Sequence, residues 1–166
     1  MSNFLVQQFE ISSNSMEQSL LVGDRALVNK TAYWFGPISR GDVVVFDGQD
    51  AFSNQAKDYV KRVIGISGDR VTCCDSDGRV TVNGTALNET DYLFPGNSPS
   101  ELKFDIEVPQ GKLWLMGDHR SDSSDSRSHL GDPGGGFVSE SKVKGQVVAV
   151  MWPPSRLQWI SQSVPR

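Results

Sequence analysis

Gly and Pro interrupt the sequence at short intervals, and this feature constrains the fold more than any other. The 166 residues include 16 Gly and 8 Pro, and the apolar stretches between them are short and rich in Val. Such stretches predict β-strands, while no stretch keeps a long 3.6-residue period and only a short helical turn is expected near 16–21. The predicted strands are 8–12, 25–29, 42–46, 58–66, 70–74, 79–82, 112–117 and 143–152.

The spacing of these strands favours one domain. Asn83-Gly84 is typical of a tight hairpin turn, because both turn positions require positive φ. No repeat or linker divides the chain, so we expect a single, mainly β, antiparallel domain over 1–166 with coil-rich insertions and few short helices. The polar segments 47–56 and 121–136 are the predicted insertions. Residues 1–8 are expected to be an added start or a membrane-proximal segment, and 153–166 a C-terminal tail.

Charge and composition exclude several functions. Sixteen basic and 20 acidic side chains give a net charge of −4 with no basic stripe, which argues against a nucleic-acid partner. No apolar run is long enough to span a bilayer, and the start lacks the features of a signal peptide. The adjacent Cys73 and Cys74 do not fit a zinc cage. Because a vicinal disulfide is strained, we expect two thiols on a strand, and we expect no metal or cofactor.

One lysine is the main candidate for chemistry. The two histidines, His119 and His129, lie in polar sequence and are interpreted as surface residues, so a Ser-His-Asp triad has little support. Lys61 lies within a strand rich in Val, Ile and Tyr, where burial would lower its pKa and let the neutral amine act as a general base. Alternatively, Lys61 and Arg62 alternate faces and point to water, which is the commoner arrangement for a strand lysine.

Several segments match the motifs of one known family in order and spacing. The first is Ser-Asn-Ser-Met-Glu-Gln-Ser-Leu (13–20), where that family has Ser-x-Ser-Met-x-Pro-Thr-Leu. The second is Lys-Arg-Val-Ile-Gly-Ile-Ser-Gly-Asp (61–69), where it has Lys-Arg-x-x-Gly-x-x-Gly-Asp. The others are Gly-Asp-Arg (23–25), Arg-Gly-Asp-Val-Val-Val-Phe (40–46), Val-Asn-Gly (82–84) and Met-Gly-Asp-His-Arg-Ser-Asp-Ser-Ser-Asp-Ser-Arg (116–127). From about Phe9 to Val150 the chain resembles the bacterial type I signal peptidase family.

The resemblance implies roles for particular residues. Ser15 would be the nucleophile and Lys61 its general base, with Ser123 hydrogen-bonded to the Lys61 amine. The Ser13 hydroxyl and the Ser15 N–H would form the oxyanion hole. The supporting charges would be Asp125, Arg127, Asp118, Arg120 and Arg62. The walls of a pocket for a small substrate side chain would be Ile11, Leu20, Tyr59 and Val60.

The activity implied is that of a serine endopeptidase. It would remove signal peptides from exported preproteins after an Ala-X-Ala sequence, through an acyl-enzyme and without a cofactor. Its partners would be preprotein signal peptides and the membrane surface, on the extracytoplasmic face of the cell membrane. The family's N-terminal anchor does not precede Phe9 here, so we expect a catalytic domain separated from its anchor, with an apolar rim near Phe4, Leu5 and Phe9.

Three positions and one segment depart from the family pattern. Gln18 and Ser67 stand where the family usually has Pro, and His119 stands where Asn is commoner. Residues 131–136 form a Gly-rich insertion. We expect Gln18 to loosen the turn after the nucleophile, because Pro would fix its φ, and His119 to be a local structural substitution.

Two other functions remain open on the sequence. The first is a self-cleaving Ser-Lys protease of the SOS-repressor type, which shares the core fold but would carry a DNA-binding domain that this chain lacks. The second is a catalytically inactive β module that captures extended peptides.

Overall fold

The computed structural model describes residues 5–160 and 162, and within that part of the chain the structure is mainly β. The strands are β1 (Val6–Glu10), β2 (Arg25–Asn29), β3 (Val43–Asp47), β4 (Asp58–Gly65), β5 (Arg70–Cys73), β6 (Val80–Val82), β7 (Thr85–Ala86), β8 (Phe104–Glu107), β9 (Lys112–Met116), β10 (Val138–Ser139), β11 (Val143–Trp152) and β12 (Gln158–Trp159). The helical segments there are short 3₁₀ turns at Arg120–Asp122, Ser126–His129, Glu140–Lys142 and Pro154–Arg156. The prediction of a mainly β fold with few short helices is confirmed.

The larger sheet has the order β1-β2-β11-β3-β4-β9-β10, with β12 paired to β11. Its strand pairs are antiparallel, as predicted. Ile11, which follows β1, and Val60, in β4, belong to the same buried cluster although three strands separate β1 from β4. The sheet therefore curls around its core and brings the end of β1 toward the start of β4.

The smaller sheet has the order β7-β6-β5-β8. Its hairpin joins β6 to β7 through Asn83 and Gly84, whose φ values of 52° and 82° are those of the predicted tight turn. Trp114 and Met116 of β9 pack into the core of this sheet, so β9 carries contacts to both sheets. No helix in the described residues is long and apolar enough to cross a membrane.

Of two local predictions, one is confirmed and one is wrong. The expected short helical turn near 16–21 is present as a single turn, closed by Leu20 N–H donating to Met16 O at 2.8 Å. Cys73 and Cys74 form a vicinal disulfide rather than two thiols on a strand. The reason is that β5 ends at Cys73, so the two side chains do not alternate faces, and both sulfurs lie within 4.0 Å of the Ser100 carbonyl oxygen.

Candidate active site

Ser15 lies on a tight turn that follows β1. The Asn14 carbonyl accepts a hydrogen bond from Glu17 N–H (3.2 Å), and Met16 and Leu20 anchor the turn in the core of the larger sheet. The Ser15 carbonyl accepts a hydrogen bond from His119 N–H at 2.9 Å. Apolar burial on one side and a backbone hydrogen bond on the other fix the hydroxyl at the sheet's end.

Lys61 lies in the middle of β4 and points at this turn. Its Nζ is 2.7 Å from Ser15 Oγ, and the side chain is buried, with the residue only 3% exposed. Burial lowers the pKa of the amine to about 8, and the negative charge of Asp125 partly opposes that effect. The Lys61 side chain therefore does not point to water, which was the alternative that the sequence left open. The two residues lie 46 positions apart in sequence and within hydrogen-bond distance in the fold.

The Asp125 carboxylate accepts several hydrogen bonds beside the dyad. Its Oδ2 accepts from Gly117 N–H (3.0 Å), the Ser123 hydroxyl (2.8 Å) and Arg127 Nη2 (2.8 Å). Burial alone would raise the pKa of Asp125, but these partners, Arg127 above all, hold it below its ordinary value. The carboxylate is therefore charged, and it ties the segment 117–127 together.

The expected hydrogen bond between Ser123 and Lys61 is not found among the described residues. The Ser123 hydroxyl donates to Asp125 instead. The physical reason is that an ionised carboxylate two residues away is a stronger acceptor than an amine. Ser123 is thus linked to Lys61 through Asp125, whose negative charge acts on the amine.

A second buried network supports β4 and the segment 117–127 from behind. Arg62 makes a bidentate ion pair with Asp118, both contacts 2.8 Å, with both side chains fully buried. Arg120 pairs with Glu89 at 2.6 Å, and the Tyr92 hydroxyl donates to the same carboxylate. The Arg62 guanidinium stacks 4.0 Å from the Tyr92 ring centre. Glu89 and Tyr92 were missed at the sequence level, since they lie in coil with no motif to mark them.

The two expected oxyanion-hole groups are neighbours. Ser15 N–H donates to Ser13 Oγ at 3.2 Å, and the Ser13 side chain is at the surface of the cleft. A hydroxyl can rotate to donate. The same two groups could therefore both point at a single oxygen placed beside Ser15.

A cleft of about 420 Å³ opens beside Ser15 and Lys61. Ile11, Tyr59 and Val60 line it, as expected for pocket walls. Leu20 does not line it: this side chain is 0% exposed and packs in the core, because the turn after Ser15 directs it inward. Among the described residues no group of three or more His, Cys, Asp or Glu could hold a metal ion.

The cleft lies between two strand edges that have no pairing strand among the described residues. β1 is the first strand of its sheet and pairs with β2 on one side. β4 pairs with β9 only from Arg62 onward, so its first residues, Asp58 to Lys61, have β3 on one side and the cleft on the other. Such edges carry free N–H and C=O groups that can pair with an extended peptide.

Both histidines are less exposed than a surface residue would be. The His119 side chain is 13% exposed and stacks on Phe94, with ring centres 3.9 Å apart. The His129 side chain stacks on Phe52 at 4.8 Å and contacts Asp132. The interpretation of the two as surface residues is wrong, because an aromatic neighbour covers each ring.

The sequence matches the family model described as "Signal peptidase, peptidase S26" over residues 1–152. It is 35% identical over 209 residues to "Probable signal peptidase I" of Mycobacterium leprae, covering 94% of this chain and 72% of that protein. It is 33% identical over 159 residues to "Signal peptidase I T" of Bacillus subtilis, covering 91% and 76%.

One solved structure supports the fold. The crystal structure of a signal peptidase I from Enterococcus faecalis V583 superposes with a TM-score of 0.50, covering 67% of this chain and 97% of that chain. The two sequences are 23% identical, so this likeness is one of fold. It agrees with the antiparallel β architecture described above.

Proposed function

The chain belongs to the signal peptidase, peptidase S26 family, and from this premise we propose that Ser15 and Lys61 form a Ser-Lys dyad that cleaves preproteins after Ala-X-Ala. The family assignment makes the chain a serine endopeptidase that removes signal peptides. The dyad, the residues around it and the preference for small side chains are the proposed part. Of the three functions open on the sequence, this is the one that the comparisons favour.

The observation that carries the proposal is the buried contact between Lys61 Nζ and Ser15 Oγ at 2.7 Å. A neutral amine accepts the hydroxyl proton while Ser15 Oγ bonds to the carbonyl carbon after the small residue. The tetrahedral intermediate then expels the amine of the mature protein, which takes the proton from Lys61. Water then gives a proton to the same amine and attacks the ester carbonyl carbon. The second tetrahedral intermediate expels Ser15 Oγ, which takes that proton back from Lys61, and the signal peptide leaves with a free carboxylate. Burial supports this cycle because it lowers the pKa of Lys61 to about 8.

Ser15 N–H and the Ser13 hydroxyl would stabilise the oxyanion of each tetrahedral intermediate. In the resting enzyme the N–H donates to Ser13 Oγ (3.2 Å), and the substrate oxygen would replace that acceptor. Removing one oxyanion donor costs on the order of a hundredfold or more in rate. Asp125 and Arg127 would hold the segment beside Lys61, and Arg62, Asp118 and Arg120 would hold the strands behind it.

The substrate would bind as an extended strand between β1 and the first half of β4. Ile11, Tyr59 and Val60 line the cleft that its side chains enter. Apolar walls beside the nucleophile favour apolar side chains near the cut, and Ala is one of these. This supports the Ala-X-Ala preference.

We also propose that the enzyme works against the extracytoplasmic face of the cell membrane. Leu5 is exposed at the start of β1, whereas Phe9 is half-buried against the core and Phe4 lies outside the described residues. Trp152 and Trp159 are exposed as well, Trp159 to 82%. The register pairs Trp152 with Arg25, and Arg25 with Glu10, which places Trp152 at the end of the sheet that leads to Ser15. Exposed Trp side chains of this kind suit a membrane interface.

Turnover of an Ala-X-Ala preprotein peptide tests the proposal. Ser15→Ala and Lys61→Ala should each abolish cleavage while the fold is retained, because each removes one member of the dyad. Lys103→Ala is the matched control, since Lys103 is an exposed lysine that does not line the cleft, and it should cleave normally. Undiminished turnover by Lys61→Ala would refute the dyad, and cleavage at another bond would refute the specificity.

A further inference from the structure

His119 contacts both carbonyls at the start of the nucleophile turn. Its backbone N–H donates to Ser15 O at 2.9 Å, and its ring Nδ1 lies 3.2 Å from Asn14 O. The Asn14 carbonyl also accepts the Glu17 N–H that closes the turn. One residue of the segment 117–127 therefore fixes the peptide units on either side of Ser15.

The ring is held in this place by its surroundings. It stacks on Phe94 with the ring planes 16° apart, and Glu17 Oε2 lies 3.7 Å from Nδ1. Asn14 Nδ2 also donates to Asp122, in the same segment, at 2.5 Å. The segment 117–127 thus holds the turn through two side chains, and a shift of the His119 ring would move Asn14 O and the Ser15 hydroxyl with it.

A carbonyl oxygen only accepts hydrogen bonds, so the contact with Asn14 requires a proton on His119 Nδ1. We propose that His119 is a positioning residue for Ser15: its Nδ1–H holds the Asn14 carbonyl and thereby keeps the Ser15 hydroxyl directed at Lys61. This inference rests on the proposed function of the dyad. It assigns a role in the reaction to a position where the sequence indicated only a structural substitution.

Substitution of His119 by Asn or by Leu distinguishes this role from simple packing. Asn Nδ2 and His Nδ1 are both bonded to Cγ, so an Asn at 119 can donate to the same carbonyl. Leu has nearly the same shape as Asn and no donor. The pair His119→Asn and His119→Leu therefore differs in the one property that the proposal uses.

The kinetic test measures kcat and KM of the full chain on an Ala-X-Ala preprotein peptide. His119→Leu should lower kcat about tenfold, the value of one net hydrogen bond, with KM unchanged. His119→Asn should restore kcat to near the original value. His129→Leu is the control, because His129 is also stacked on an aromatic ring but contacts Asp132 rather than the nucleophile turn, and it should not change kcat.

A second readout does not depend on activity. Nitrogen NMR of the histidine rings should find the neutral His119 ring protonated at Nδ1, while His119→Asn leaves the His129 signals in place. An Nε2–H neutral ring at His119 would overturn the proposal. So would an unchanged kcat in His119→Leu, or an equal loss of kcat in His119→Leu and His119→Asn. If the unaltered chain cleaves no such peptide, the dyad assignment fails, and the ring tautomer alone then decides whether His119 holds the turn.

Discussion

At the scale of single residues, two opposing influences act on the Lys61 amine. Burial among β4 and its neighbours disfavours the charged form, while the carboxylate of Asp125 favours it. Burial has the larger effect, and the pKa falls from the ordinary 10.5 to about 8. The amine is therefore neutral often enough near neutral pH to act as a base and remains basic enough to take a hydroxyl proton.

The rate of peptide cleavage should follow this titration. Only the neutral amine can act as the base, so kcat/KM should fall about tenfold per pH unit below pH 8 and level off above it. The measurement is a kcat/KM profile from pH 5 to 9 with a preprotein peptide. A profile that is flat across this range would contradict the assignment of Lys61 as the base.

At the scale of elements, the segment 117–127 packs so closely on the nucleophile turn that position 117, its first residue, has room only for glycine. A Cβ on Gly117 would lie 2.5 Å from Ser15 O and in contact with Ser123 Oγ. Gly117 N–H also donates to Asp125, so the segment cannot move away without losing that bond. The close approach sets the position of Ser15.

Gly117→Ala should therefore lower kcat on the order of a hundredfold, the cost of a displacement near 1 Å in a reacting group. The nucleophile turn has to shift to admit the methyl group. Gly131→Ala is the control, since nothing lies within 4 Å of a Cβ there, and its kcat should not change. Full activity of Gly117→Ala would show that the turn tolerates displacement.

The hairpin of the smaller sheet should contribute to stability and not to catalysis. Asn83 has a φ of 52°, accepts from Arg70 N–H and donates to Asp69, each at 2.9 Å. Asn83→Ala should lower the free energy of unfolding by about 1–3 kcal/mol. The reasons are that Ala is strained in the left-handed conformation and that the two hydrogen bonds of the Asn83 side chain are lost. Urea denaturation measures that loss, and kcat should stay unchanged. An equal destabilisation by Asn54→Ala, an exposed loop residue, would point to a general effect of losing Asn.

The strands with long apolar runs could be predicted from the sequence, and the shortest ones could not. β3 is an apolar run between two Asp residues, and β4 has apolar residues on both sides of Lys61 and Arg62, whereas β10 and β12 have two residues each and therefore no period to detect. Ser15 and Lys61 were identified because their neighbours match family motifs. Leu20 was misassigned to a pocket, since an apolar residue beside a nucleophile can equally face the core.

The sequence did not predict which residues pair with each other in the buried ion pairs. Glu89 and Arg120 are 31 residues apart in coil segments, and only the fold brings them to 2.6 Å. The same holds for the hydrogen bond of Ser123, which goes to Asp125 because a carboxylate is the better acceptor. Motif spacing identifies the residues, but their partners follow from packing.

At the scale of the whole molecule, the proposed dyad contains a buried lysine without which the fold would be more stable. Between pH 8 and 10.5 the unfolded chain binds a proton at Lys61 that the folded chain does not, so this group makes unfolding free energy rise with pH in that window. Below pH 8 both states carry the proton, and burying the charge costs about 3 kcal/mol in full.

Lys61→Met removes this cost and one hydrogen bond to Ser15. Its free energy of unfolding should exceed that of the unaltered chain by about 2 kcal/mol at pH 7. This difference should fall by about 3 kcal/mol as the pH rises through 10.5, so that Lys61→Met becomes about 1 kcal/mol less stable than the unaltered chain. Urea denaturation at a series of pH values measures the difference. A difference that is constant with pH would mean that Lys61 has an ordinary pKa in the folded state.

The most direct test of the account is a titration of the Lys61 amine itself. NMR of lysine-labelled protein can follow the Lys61 Cε signal with pH, with Lys61→Met identifying the peak. We expect a midpoint near pH 8 for Lys61, well below the ordinary lysine value of 10.5. A midpoint near 10.5 would leave Ser15 without a base at neutral pH and would contradict the mechanism.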